Sequence, residues 1–247
     1  MEQPELCSWQ LFPLYKVRRL PIAPVSRLKN FESVITMKED TMLPTQMPLI
    51  RVIDPDSQTR EFLRYLFTHQ GWPVKTYPNV EIYQREDEAS RLGIVIVDLN
   101  EPTMGAKAFL TRLREEGSVR PVIVLGEGAT IDVAVEIMKL EAVDFIAKPL
   151  EEKRVLTSVA KQIEDVVREA ESQKFVMTYQ SLSNREREVI DLSIQGLSHE
   201  AVAEKLGITI KTAQVHRYNA YRKLGFHNIT EIFHMMTKVG LVKGNEN

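Results

Sequence analysis

The chain has 247 residues, 43% of them hydrophobic and 27% charged, with a formal net charge of −2; composition and length suit a soluble globular protein of two domains. No apolar run approaches the ~18 residues that a membrane span needs, and a lone cysteine, Cys7, behind no charged-then-apolar leader argues for a reducing cytoplasm. Charge is divided unevenly: residues 49–150 carry twelve Lys and Arg against sixteen Asp and Glu (net −4), whereas residues 178–247 carry nine against seven (net +2).

Residues 1–48 hold six of the twelve prolines and show no sustained helical or strand period. A segment without a face to bury cannot offset the entropy of ordering, so disorder is expected there, with Arg18, Arg19 and Lys29 as charges of a solvated tail. Met37, Met42 and Met47 leave the native start open.

From Leu49 short apolar runs alternate with amphipathic segments. Strands are predicted at 49–54, 74–77, 93–97, 122–125 and 143–147, and helices at 58–70, 80–88, 106–116 and 131–140. Strand and helix in alternation imply an α/β fold, a doubly wound parallel sheet of five strands over residues 49–150. Ligand sites of such sheets gather outside the carboxyl ends of the strands, and Asp54, Asp98, Gly126 and Lys148 stand at four of those ends. Two converging carboxylates can hold a hard cation such as Mg²⁺, and a lysine beside them can hold a phosphoryl oxygen. The plainer alternative is a set of polar residues that only solvate the sheet edge.

The run Val97-Asp98-Leu99-Asn100-Glu101-Pro102-Thr103-Met104 and the run Ala142 through Lys148-Pro149 resemble the phosphoacceptor loop and last strand of the receiver domain of two-component response regulators, over about residues 48–150. The resemblance implies that Asp98 accepts a phosphoryl group, Asp54 helps to hold Mg²⁺, the backbone carbonyl of Asn100 is a metal ligand, Lys148 contacts the phosphate, and Phe145 is the aromatic switch residue. Two positions depart from the pattern. The usual pair of adjacent acids reads Asp54-Pro55-Asp56, which leaves open whether Asp56 reaches the metal. Gly126 stands where a Thr or Ser hydroxyl is usual, so the usual coupling of phosphate to surface is expected to be absent.

From Leu150 a helix is predicted in which Leu156, Val159, Ile163, Val166 and Ala170 recur at spacings of 3, 4, 3 and 4, the seam of a helix that pairs with another helix; packing of the last helix on its own sheet accounts equally for the first part of the seam, but not for Val166 to Ala170. Residues 151–177 are expected to comprise this last helix and a polar linker, 169–178, that lets two domains change their relative placement.

Residues 178–247 read as a small all-α domain. Ser183 and Glu186 form a capping box, and Val189, Leu192 and Ile194 give the helix it opens an apolar side that ends at Gly196. Ser198 caps a second helix with Ala201, Val202 and Leu206 inward, and Gly207-Ile208 turns into a third capped by Thr209. Two helices joined by so tight a turn form a helix-turn-helix. On the third, Ala213, Ala220 and Leu224 share a face to be buried, while Lys211, Gln214, Val215, Tyr218 and Arg222 line the other. Gln can pair bidentately with adenine, Val can touch a thymine methyl, and Lys or Arg can hold phosphate; an ordinary exposed helix face is the alternative. A fourth helix is predicted over 231–239, with Ile232, Phe233 and Met236 on its apolar side.

Ser183-Asn-Arg-Glu-Arg-Glu-Val, Gly196-Leu-Ser, Val202-Ala-Glu-Lys-Leu-Gly-Ile, Thr212-Ala-Gln-Val-His-Arg and Lys223-Leu-Gly resemble the LuxR/GerE-type DNA-binding domain of the FixJ and NarL regulators. The resemblance implies that the third helix enters the major groove and that Gln214, Val215 and Tyr218 read bases. Lys211, Thr212, Arg217, Arg222 and Lys223 complete the candidate DNA-contacting set. Ala213 departs from the usual Val, and Tyr218 stands where a basic residue is common. The expected function is a transcription regulator of the response-regulator type, not an enzyme, with double-stranded DNA, a second copy of itself and a sensor histidine kinase as partners, and no membrane. The small basic surplus of residues 178–247 makes a dimer the expected DNA-binding form. The alternative is a pseudo-receiver regulator that binds DNA without phosphorylation and uses its N-terminal domain for dimerisation or partner binding.

Overall fold

A computed structural model describes residues 47–242; the disorder expected for the N-terminal extension falls on residues outside the described ones. The elements run β1 (Leu49–Ile53), α1 (Ser57–His69), β2 (Val74–Tyr77), α2 (Val80–Glu86), β3 (Gly93–Asp98), α3 (Ala106–Glu115), β4 (Val122–Gly126), α4 (Ile131–Lys139) and β5 (Asp144–Ala147). A long helix α5 (Glu152–Gln180) follows, then α6 (Asn184–Ile194), α7 (His199–Leu206), α8 (Ile210–Leu224) and α9 (Ile229–Lys238).

The five strands form one parallel sheet in the order β2-β1-β3-β4-β5. Central β3, GIVIVD, is buried throughout, as expected of a parallel strand covered on both faces. Its alternate residues point to opposite layers. Ile94 and Ile96 join Ile50, Val52, Ile123 and Leu125 beneath α1 and α5, whereas Val95 and Val97 join Val122 and Val124 beneath α2, α3 and α4. The crossover between β1 and β3 therefore leaves the ends of these strands side by side, which is where the carboxylates lie.

Helix α5 corrects the expected linker. Its 29 residues are unbroken, because the chain has no Gly or Pro between Pro149 and Gly196 and the intervening Glu, Lys, Gln, Ala and Arg are good helix formers. Val155, Val159, Ile163 and Val167 belong to the core under the sheet, while Phe175 and Tyr179 belong to the core of the C-terminal helices with Ile190, Ala220, Ile232 and Met236. The seam thus lies on 155, 159, 163 and 167, with Leu156 and Val166 at its flanks. The residues expected to be a polar linker, 169–178, carry the aromatic anchor Phe175, stacked with Tyr179 just beyond them at a centroid distance of 6.2 Å.

In the C-terminal helices the caps fall where the sequence puts them. Ser183 and Glu186 make both capping-box bonds, Ser198 and Thr209 cap α7 and α8, and Gly207 ends α7 in the left-handed region (φ 64°). On α7 the inward pair is Val202 and Ala203, not Ala201, which is only half-buried. Helix α9 starts two residues earlier than predicted, at Ile229, because Asn228 accepts from the Glu231 amide and caps it.

Candidate functional site

Four strand ends converge on an acidic pocket. The amine of Lys148, just past β5, donates to Asp54 Oδ2 at 2.8 Å and Asp98 Oδ2 at 2.6 Å. Both carboxylates are buried, Asp54 completely and Asp98 to 6% exposure. Their other oxygens accept backbone amides: Asp56 N donates to Asp54 Oδ1 and Asn100 N to Asp98 Oδ1, each at 2.8 Å. Burial pushes the Asp54 carboxyl above its ordinary value against the opposing pull of Lys148 and the Asp56 amide. Burial also works to lower the Lys148 ammonium, but its bonds to Asp54 and Asp98 prevail and raise it. The main chain ties the pocket together, as the Lys148 amide donates to the Gly126 carbonyl at 2.8 Å.

Asp56 contributes its amide to this pocket and its carboxylate elsewhere. Its side chain caps α1, accepting from the Thr59 hydroxyl (2.7 Å) and the amides of Gln58 (3.1 Å) and Thr59 (3.0 Å), bonds that hold it below the usual carboxylate range. Among the described residues no three His, Cys, Asp or Glu side chains are grouped to hold a metal. The oxygen donors brought together around Lys148 are the two carboxylates of Asp54 and Asp98. All are hard oxygens, and Mg²⁺ is commonly held by one or two carboxylates together with water and substrate phosphate, so these residues fit that ion with a reduced acid set.

At the end of β4, Gly126 is closely covered. A Cβ there would lie 2.3 Å from Cζ and 2.9 Å from Cε2 of Phe145, and 3.4 Å from Leu99 Cδ2. The Phe145 ring occupies the space that a hydroxyl-bearing side chain at 126 would need.

The second candidate surface is α8. Ala213 and Ala220 are buried, and Lys211, Thr212, Gln214, Val215, Tyr218 and Arg222 are exposed, with the spacing that gathers Lys211, Gln214, Val215, Tyr218 and Arg222 on one side. Three of the remaining candidates are engaged within the domain. The Thr212 hydroxyl bonds that of Thr209 at 2.8 Å, the Arg217 guanidinium lies 5.8 Å from the centre of the Tyr221 ring, and the Lys223 amine donates at 2.7 Å to Glu186. Glu186 is 4% exposed; the capping box signals its fold-back, but nothing in the local pattern signals Lys223 across 37 residues. Glu101, buried within the loop that follows Asp98, also escapes pattern reading.

Residues 50–160 match the response regulator receiver domain, and residues 180–236 match the bacterial regulatory proteins of the luxR family. The chain is 31% identical over 192 residues to the C4-dicarboxylate transport transcriptional regulatory protein DctR of Rhodobacter capsulatus, covering 75% of this chain and 98% of that one. The chain is a FixJ-like two-component response regulator. The transcriptional regulatory protein FixJ of Bradyrhizobium diazoefficiens is 29% identical over 197 residues, covering 78% of this chain and 96% of that relative. Among solved structures, the response regulator StyR superposes with a TM-score of 0.56 at 26% identity, over 78% of this chain and 99% of that one. As in this family, a receiver and a helix-turn-helix share one chain, making this response regulator a DNA-binding transcription regulator controlled through its N-terminal domain. No helix among the described residues is long and apolar enough to cross a membrane.

Proposed function

We propose that Asp98 is the phosphoacceptor through which a sensor histidine kinase sets how a dimer of this cytoplasmic regulator binds double-stranded DNA. The observation that carries the reading is the Lys148 amine, bonded to Asp54 at 2.8 Å and Asp98 at 2.6 Å at the carboxyl ends of the sheet. A carboxylate oxygen of Asp98 attacks the phosphorus of the donor, and the new O–P bond forms as the donor's bond to phosphorus breaks. The ammonium of Lys148, held charged by its two carboxylates, then pairs with a phosphoryl oxygen. Asp54, Asp98 and the Asn100 carbonyl would hold Mg²⁺, which supplies further positive charge toward the phosphoryl oxygens; Asp56, committed to α1, is the weaker candidate ligand. The added charge of about −1.5 to −2 acts through new bonds around Lys148 and the loop amides, not through a hydroxyl at Gly126.

On the DNA side, Gln214, Val215 and Tyr218 read base edges while Lys211 and Arg222 hold phosphates. Thr212 and Arg217 serve at the margin, and Lys223 acts mainly to hold α8 onto Glu186. Two recognition helices of a dimer would meet the major groove about one turn apart, ~34 Å. The test of the phosphoacceptor is incubation with acetyl phosphate and Mg²⁺, read by intact mass, followed by selection of bound DNA from a random pool with and without the donor. The wild type is expected to gain one phosphoryl group and Asp98→Asn none. A phosphoryl group on Asp98→Asn would assign the acceptor to another residue.

A further inference from the structure

Glu101 sits three residues beyond Asp98, inside the loop from β3 to α3, and is 3% exposed. A buried carboxylate is expensive unless its lone pairs are satisfied, and this one is satisfied by five donors. Oε1 accepts from the Val80 amide at 2.9 Å and the Thr103 hydroxyl at 2.6 Å; Oε2 accepts from the amides of Met104 at 2.9 Å and of Thr103 and Gly105 at 3.2 Å. Val80 opens α2 and Gly105 precedes α3, so one side chain serves the positive ends of two helices. Gly105 has no side chain with which to cap α3; the carboxylate of Glu101 takes the amides just ahead of it.

The loop so pinned is the one that shapes the acceptor. The Glu101 amide donates to the Asp98 carbonyl at 3.3 Å, the Ala106 amide to the Leu99 carbonyl at 3.3 Å, and the Asn100 amide to Asp98 Oδ1 at 2.8 Å. Asn100 therefore lies between a strand end fixed by the sheet and a carboxylate fixed by α2 and the loop itself. We infer that Glu101 is a positioning residue for phosphoryl transfer: by tying residues 103–105 to the start of α2, it sets the direction of the Asn100 amide and carbonyl at Asp98. This rests on Asp98 as the acceptor.

The experiment compares full-length wild type, Glu101→Gln and Thr103→Val with acetyl phosphate, following intact mass over time at varied donor and Mg²⁺ concentrations, with circular dichroism to check the fold. Gln keeps the shape but offers fewer acceptors and turns an NH₂ toward amides that themselves donate. Because small misplacements of reacting groups slow reactions steeply, Glu101→Gln should lower the rate at saturating donor by about tenfold or more and raise the Mg²⁺ concentration for half-maximal rate; Thr103→Val should do the same to a smaller degree. A folded Glu101→Gln protein that matches the wild-type rate and Mg²⁺ dependence would make Glu101 a structural anchor only and overturn the inference. Should Glu101→Gln fail to fold, Thr103→Val decides alone, an unchanged rate again overturning it. A wild type that takes up no phosphoryl group removes the Asp98 reading, and the role of Glu101 falls with it.

Discussion

Gly126 and Phe145 show how one missing side chain redistributes space at the end of a sheet. Contacts of 2.3 and 2.9 Å from a Cβ to the Phe145 ring are far inside van der Waals distance, so any larger residue at 126 must move that ring. Overpacking a filled site typically costs about 1–3 kcal/mol, and Gly126→Thr is expected to lower stability by that order in urea unfolding. Phe145→Leu in the Gly126→Thr background should recover part of the loss, since it removes the ring atoms that clash. Equal stability of Gly126→Thr and wild type would mean the ring has another place to go. Asp56 teaches a similar lesson, because a carboxylate two residues from Asp54 is spent on the amides of α1.

At the scale of the element, α5 is the part that a reading by composition misjudges. Its polar stretch around 169–178 looks like a tether, yet Phe175 is 4% exposed and lies edge-on to Phe226 with centroids 5.8 Å apart, while Tyr179 donates to Asp191 of α6. The helix is thus held at its two ends by different cores, and tertiary packing of an apolar face is what stabilises most helices. Truncating a buried Phe to Ala costs about 3–5 kcal/mol. Phe175→Ala should therefore lower the unfolding transition of the C-terminal helices in a thermal or urea melt and leave that of the sheet domain nearly in place; a melt in which neither transition shifts would show that α6 to α9 do not need this end of α5.

For the whole molecule, the proposed function uses two unlike surfaces: a buried pocket in which one ammonium, that of Lys148, bonds two carboxylates, and an exposed helix face. The modest +2 of residues 178–247 against −4 over residues 49–150 limits how much phosphate attraction one copy supplies, so tight binding should need two copies and rely on base contacts for discrimination. A good bidentate contact is worth about 1–3 kcal/mol. Gln214→Ala should flatten the sequence preference obtained by selection from random DNA, whereas Arg222→Ala should weaken all sequences alike and reduce the salt slope. Uniform weakening by Gln214→Ala would remove Gln214 from the base-reading set.

The alternation of apolar runs, the strand-end placement of Asp54, Asp98 and Lys148, the caps at Ser183, Ser198 and Thr209, and the exposed stripe on α8 were all legible in the sequence. Each is a local property, written in the period of a strand or helix or in the few residues around a cap. The tertiary structure alone decided where the charged side chains go. Lys148 meets Asp54 across 94 residues, Lys223 meets Glu186 across 37, and Glu101 meets the start of α2 across 21. It also made one helix out of what reads as a helix and a linker, because the burial of Phe175 and Tyr179 depends on α6, α8 and α9 being folded beside them. A carboxylate or an aromatic ring carries no mark of its partner in the chain; the partner is set by which strands and helices pack together.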